Sequence, residues 1–148
     1  MAGHLTLLQG PVFSGKSQVA EKMIEDSEAD LLVEYTALWA SLRAVKRGKD
    51  GRFPIRRNSD PFNTIGNTLK LVITEESLKK GLRVIVSTGV SGEVEKWSSV
   101  AQKANASFDL KTVDPGVSEI DKKLIEAGDS EECLNAVKRW YPNYSKKR

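Results

Sequence analysis

The chain holds one cysteine, Cys133, and one histidine, His4, among 148 residues. A single thiol excludes an internal disulfide. One Cys and one His also fall short of the four ligands that a structural zinc site takes from those side chains. Cys133 therefore reads as a small buried apolar residue. No apolar run approaches the roughly 20 residues that a membrane-spanning helix requires, so no membrane partner is expected. The first apolar stretch begins at Leu5, which leaves no room for a signal peptide and gives a cytoplasmic location as the expectation. Charge of one sign is also lacking, since the net charge is only +3. With 39% hydrophobic and 29% charged residues the composition is that of an ordinary globular protein. The length suits one domain, expected over residues 1–144, with a basic tail at 145–148. Repeats and low-complexity tracts are absent.

What is present is decisive at the N-terminal end. Gly10-Pro11-Val12-Phe13-Ser14-Gly15-Lys16-Ser17 is a complete phosphate-loop motif. The apolar Leu5–Gln9 stretch before it reads as a buried strand. Gln18–Asp26 after it reads as a helix with Val19, Met23 and Ile24 on one face. Strand, glycine-rich loop and helix form the setting in which backbone N–H groups from Gly10 to Gln18 converge on phosphate oxygens at a helix N-terminus. In that setting Lys16 reaches the β- and γ-phosphates, and the Ser17 hydroxyl ligates Mg²⁺. ATP and Mg²⁺ are thus the expected ligands.

The rest of the chain alternates between the two periodicities. Strands are expected at Asp30–Tyr35, Leu82–Ser87 and Phe108–Val113. Helices are expected at Thr36–Val45, Asn63–Lys80, Ser91–Asn105, from Ser118 with Asp121 closing a capping box, and at Ser130–Trp140. Asp60-Pro61 marks the start of the long third helix. Residues 46–61 carry Gly48, Gly51, Pro54, Asn58 and Pro61 and read as a long loop. This succession predicts a three-layer α/β domain with a parallel sheet, of nucleotide-kinase type. Trp39 and Trp97 occupy apolar helical positions and read as core. Trp140-Tyr141 reads as the packing of the last helix.

In such a sheet the chemistry lies beyond the carboxyl ends of the strands. Glu34, at the end of the second strand, is the acid best placed to orient an acceptor hydroxyl or to hold Mg²⁺ through water. Thr36 is there to cap the next helix or touch substrate. Ser87-Thr88 closes the strand on which many P-loop proteins carry a metal-binding Asp, so any acid must come from elsewhere. Asp114-Pro115-Gly116 forms a tight turn that borders the adenine in P-loop folds, or is simply a turn with Asp114 bonding the backbone. From Arg43 to Arg57 there are seven basic residues (Arg43, Lys46, Arg47, Lys49, Arg52, Arg56, Arg57) against one acid, Asp50. Such a cluster is either a solvated surface or a seat for a phosphorylated substrate or nucleic acid.

Together these blocks carry a resemblance. The phosphate loop, Glu34–Leu42, Arg52-Phe53-Pro54 with Asp60-Pro61, Val113–Gly116 and Val137–Tyr141 are similar to those of small P-loop proteins of tailed phages and prophages. That group itself resembles nucleoside monophosphate and polynucleotide kinases. The resemblance implies an ATP-binding, kinase-like protein with a nucleotide or nucleic-acid acceptor, working in the host cytoplasm if phage-encoded. It also implies a switch or ATPase in phage DNA metabolism or assembly as the alternative. One departure stands out. Kinases of this type usually present lid arginines to the transferring phosphoryl group, whereas Val117–Cys133 holds only Lys122 and Lys123. The missing charge is expected from one of Arg43, Arg52, Arg56 or Arg57.

Overall fold

The computed structural model describes residues 2–54 and 61–145. Arg56, Arg57, the helix-start residue Asp60 and the tail residues 146–148 lie outside the described residues. Four strands, β1 (His4–Gln9), β2 (Leu31–Glu34), β3 (Arg83–Thr88) and β4 (Ser107–Thr112), form one sheet in the order β2-β3-β1-β4. Every pairing is parallel. The helices are α1 (Lys16–Glu25), α2 (Tyr35–Leu42), α3 (Phe62–Lys79), α4 (Val94–Lys103), α5 (Val117–Glu126) and α6 (Glu131–Trp140).

The two inner strands, β1 and β3, are buried on both faces, which is why Leu5–Leu8 and Val84–Val86 are almost continuously apolar. Alternation along them sorts the core. Leu5, Leu7, Val33, Val84 and Val86 meet Leu78 of α3 and Trp97, Val100 and Ala101 of α4 on one face. Leu8 and Ile85 meet Ala20 of α1 on the other. Trp97 is 1% exposed, and Trp39 is buried as well. The edge strand β4 is largely exposed and carries Asp109 and Lys111, charges that discourage edge-to-edge pairing. A third cluster lies at the carboxyl end of the sheet. There Phe13 of the phosphate loop packs against Ile120 and Leu124 of α5 and Cys133 and Val137 of α6. Cys133 is thus buried beneath the loop.

Helix starts follow the sequence signals in one case and depart from them in two. Ser130 caps α6, its hydroxyl accepting from the Cys133 N–H at 3.2 Å. Helix α4, however, begins after Glu93 rather than after Ser91, because Gly92 at φ 90° turns the chain first. Helix α5 begins at Val117 with Gly116, φ 98°, in the capping position. Ser118 is therefore already helical, and Asp121 accepts a hydrogen bond from the Tyr144 hydroxyl instead of closing a box. A glycine in the left-handed region redirects the backbone more strongly than a nearby hydroxyl does. Among the described residues no helix is long and apolar enough to cross a membrane.

Candidate functional site

The loop that follows β1 is pinned at its start. The Gly10 N–H donates to the Thr88 carbonyl at 3.2 Å, tying the loop to the end of β3. A Cβ on Gly10 would lie 2.1 Å from the Val113 carbonyl oxygen, so only glycine lets the loop pass beneath the end of β4. Replacing Gly10 with alanine is expected to displace loop or strand and to destabilise the fold by about 1–3 kcal/mol. Urea denaturation measures that loss. An unchanged midpoint would mean that the backbone relaxes freely here.

Ser14 N–H closes a turn onto Pro11 O at 3.2 Å, and Gly15, φ 92°, is the N-cap of α1. The first backbone N–H groups of a helix have no partner within it, so the α1 start presents donors and the positive end of its dipole to the loop. Lys16 folds back across the loop, its Nζ donating to Gly10 O at 2.6 Å and Pro11 O at 3.0 Å. Burial lowers its pKa to about 8; Glu34 opposes that shift and Lys70 adds to it. The Ser14 hydroxyl is buried and has no hydrogen-bond partner among the described residues. A buried orphan oxygen, a half-desolvated ammonium and a helix N-terminus around one loop suit an anion with several oxygens, such as a triphosphate.

Glu34 stands directly across from this loop. It occupies the N-cap position of α2, yet its carboxylate makes no capping bond. It instead accepts from the Ser17 hydroxyl at 3.5 Å. A hydroxyl and a carboxylate side by side at a phosphate loop are oxygen donors of the type Mg²⁺ prefers. Thr36 lies inside α2 and is not its cap.

The arginines separate. The Arg52 guanidinium lies over the Phe13 ring, 4.9 Å from its centroid, and so reaches the phosphate loop itself. Arg43 follows the last residue of α2, is exposed, and stacks on Phe62 at 3.9 Å. Arg47 stacks on Phe53 and donates to Gly51 O at 2.8 Å. Of the lysines of α5, Lys122 pairs with Glu119 in solvent, whereas Lys123 donates to Phe13 O at 2.8 Å. Lys123 thus ties α5 to the phosphate loop, a link that local periodicity does not reveal.

At the turn after β4, Asp114 Oδ1 accepts from the Gly116 N–H at 3.0 Å, as a strand-to-helix turn requires. The same carboxylate also accepts from Trp140 Nε1 at 3.2 Å and from the Tyr141 hydroxyl. Burial pushes the Asp114 carboxyl up, but the bonds from Tyr141, Gly116 and Trp140 outweigh it and hold it below the usual range. Burial, together with the bond to Asp114, raises the Tyr141 phenol. The end of α6 is thereby fastened to the Asp114–Gly116 turn. A cavity of about 590 Å³ lined by Val117, Asp121, Trp140, Tyr141 and Tyr144 adjoins this turn.

Sequence reasoning missed Lys70. It lies on α3 and is 7% exposed, its Nζ donating to Ser87 O at 2.8 Å. Burial lowers its pKa, with Glu93 and Glu34 opposing and Lys96 reinforcing the shift. The available signal was its spacing. Gly66, Lys70, Thr74 and Leu78 recur every four residues on the buried stripe of α3.

Neither a protein-family model nor a curated protein matches the sequence. Solved structures do match its shape. One is a chain in the structure of the Pnkp1/Rnl/Hen1 RNA repair complex, with TM-score 0.67 and 15% identity, covering 97% of this chain and 47% of that one. This chain thus spans about half the length of that protein. Another is a putative kinase from Chloroflexus aurantiacus, with TM-score 0.66 and 10% identity, covering 95% and 80%. A third is a gluconokinase from Sinorhizobium meliloti 1021, with TM-score 0.53 and 14% identity, covering 93% and 74%. At these identities the likeness is one of fold alone, a parallel α/β sheet flanked by helices.

Proposed function

We propose that this chain is a small P-loop kinase that transfers the γ-phosphoryl group of ATP to a nucleotide or nucleic-acid-type acceptor. The observation that carries this reading is the Glu34 carboxylate facing the Ser17 hydroxyl at 3.5 Å, at the mouth of a phosphate loop. A carboxylate there accepts the proton of an acceptor hydroxyl as it attacks, a role that pure nucleotide binding does not need. The loop N–H groups of Val12, Phe13 and Gly15 to Gln18, together with the Lys16 ammonium, hold the phosphate chain. The Ser17 hydroxyl, with Glu34 beside it, would hold Mg²⁺, which would supply positive charge to the phosphate chain. The Asp114–Gly116 turn borders the base. Arg52 supplies the cation that the α5 region lacks; Arg43, equally drawn from the sequence, stacks on Phe62, and we assign it no contact with phosphate. The fold shared with an RNA repair chain and a putative kinase supports the reading. If the chain is phage-encoded, as its phage-type sequence blocks suggest, the enzyme works in the host cytoplasm.

Two features favour the alternative, a nucleotide-dependent ATPase or switch. The inner strand β3 ends in the hydroxyls of Ser87 and Thr88 rather than in an acid, and α5 brings no arginine. Incubation with γ-labelled ATP and a panel of nucleosides, nucleotides and DNA or RNA ends separates the two. Label on an acceptor supports the kinase, and label appearing only in free phosphate overturns it. The metal role has its own test. Ser17→Ala is expected to abolish the magnesium-dependent gain in ATP affinity while keeping metal-free binding, as read by calorimetry with and without Mg²⁺. An unchanged gain removes Ser17 from the metal site.

A further inference from the structure

We infer that Lys70 is a second phosphate-reading cation, whose ammonium contacts the γ-phosphoryl group of bound ATP from the β3 side of the cleft. The inference rests on the nucleotide-binding reading of the phosphate loop and deepens it.

A buried ammonium is costly unless paired, and residues of this type are almost never found inside without a reason. Lys70 is 7% exposed on the inward stripe of α3. A methionine there would fill the same space with no charge to desolvate. Of its three N–H donors, one is engaged among the described residues, by the Ser87 carbonyl at 2.8 Å. The Trp97 ring lies beneath it at 5.5 Å. Glu93, the acid that most favours the charged form of Lys70, is itself engaged by Trp97 Nε1 at 3.0 Å.

Position gives the charge its use. Ser87 is in register with Glu34 on one side and with Leu8 on the other, just before the phosphate loop. Lys70 is thereby held at the carboxyl edge of the sheet, where Glu34 favours its charged form and its own charge disfavours that of Lys16. Three ammonium groups, of Lys16, Lys70 and Lys96, act among two carboxylates, of Glu34 and Glu93, an excess of positive potential that suits a polyanion. Lys16 belongs to the loop that wraps the phosphate chain. Lys70 approaches from Glu34's side, toward which the terminal phosphoryl group must point to meet an acceptor. It occupies the strand end where an acid would otherwise hold metal, and so contributes positive charge there in another form.

The test is calorimetric comparison of MgATP and MgADP on wild type, Lys70→Met and Lys70→Gln. The methionine is isosteric, and the glutamine keeps a donor for Ser87 O. Thermal melts verify that the variants are folded. The contact predicts that the wild type prefers ATP. Both variants should lose roughly 10- to 100-fold in ATP affinity while staying within about threefold for ADP. A retained ATP preference overturns the inference, as does a wild type with no preference. Equal losses for both nucleotides also overturn it, because Lys70 would then only prop up the loop. A wild type that binds neither nucleotide removes the phosphate-loop reading and this inference with it. Nucleotide binding with the γ-contact but no labelled acceptor defeats the kinase reading alone and leaves Lys70 in place.

Discussion

Lys16→Ala is expected to weaken ATP binding at least tenfold, about 1.4 kcal/mol or more, and to leave the fold intact. The ammonium now donates to Gly10 O and Pro11 O, carbonyls of the loop it belongs to. Those are neutral acceptors, and a triphosphate offers charged ones, which form bonds roughly twice as strong. The geometry is therefore poised rather than structural. Stability should be kept or slightly raised, because burial already holds this pKa down to about 8 and alanine removes the desolvated charge. Calorimetry gives the affinity and a thermal melt gives the stability. Equal ATP affinity in wild type and variant would remove Lys16 from the phosphate site. A collapsed fold would instead assign it to the loop's own architecture.

Arg52→Lys carries the other large effect, a fall in turnover of roughly 10²-fold with ATP affinity within about threefold. Its guanidinium lies over Phe13, 4.9 Å from the ring centroid, and Phe13 is itself fixed in the cluster of α5 and α6. Stacking on a buried ring orients the planar fork before substrate arrives. Lysine keeps the charge but has neither the fork nor the stack. Arg43→Lys is the control, because Arg43 is exposed against Phe62, and its turnover should stay within about twofold. If instead the basic stretch is a nucleic-acid surface, both substitutions give small, additive losses that salt screens. Single-turnover rates at low and high salt on the best acceptor separate these outcomes. Equal, modest losses at both positions would take Arg52 out of the transfer step.

Much of this protein is written locally. The phosphate loop with its preceding strand and following helix, the strands and helices of the described residues and the Ser130 cap all follow from short-range patterns. Each depends on turn chemistry or on a period of two or 3.6 residues, and those act within a few residues. The burial of Trp39 and Trp97 follows in the same way, from apolar side chains at helical spacing, and that of Cys133 from its being a lone, small apolar side chain. Where two local signals compete the pattern misleads. At Gly92 and Gly116 the left-handed backbone moved the helix starts away from Ser91 and Ser118.

The site itself is long-range. Glu34 beside Ser17, Arg52 on Phe13, Lys123 on the Phe13 carbonyl and Trp140 with Tyr141 on Asp114 join residues 17 to 110 positions apart. Lys70 shows the difference most sharply. In the sequence it is one lysine on an amphipathic helix, where exposure is the ordinary outcome. Its burial was decided by how α3 lies on β3, which carries its ammonium to the Ser87 carbonyl and into the field of Glu34 and Lys16. Charge and hydrogen-bonding capacity belong to the residue and can be read from the chain. Which charges meet, and how dry the place where they meet is, depends on packing between distant segments, and only the tertiary structure decides that.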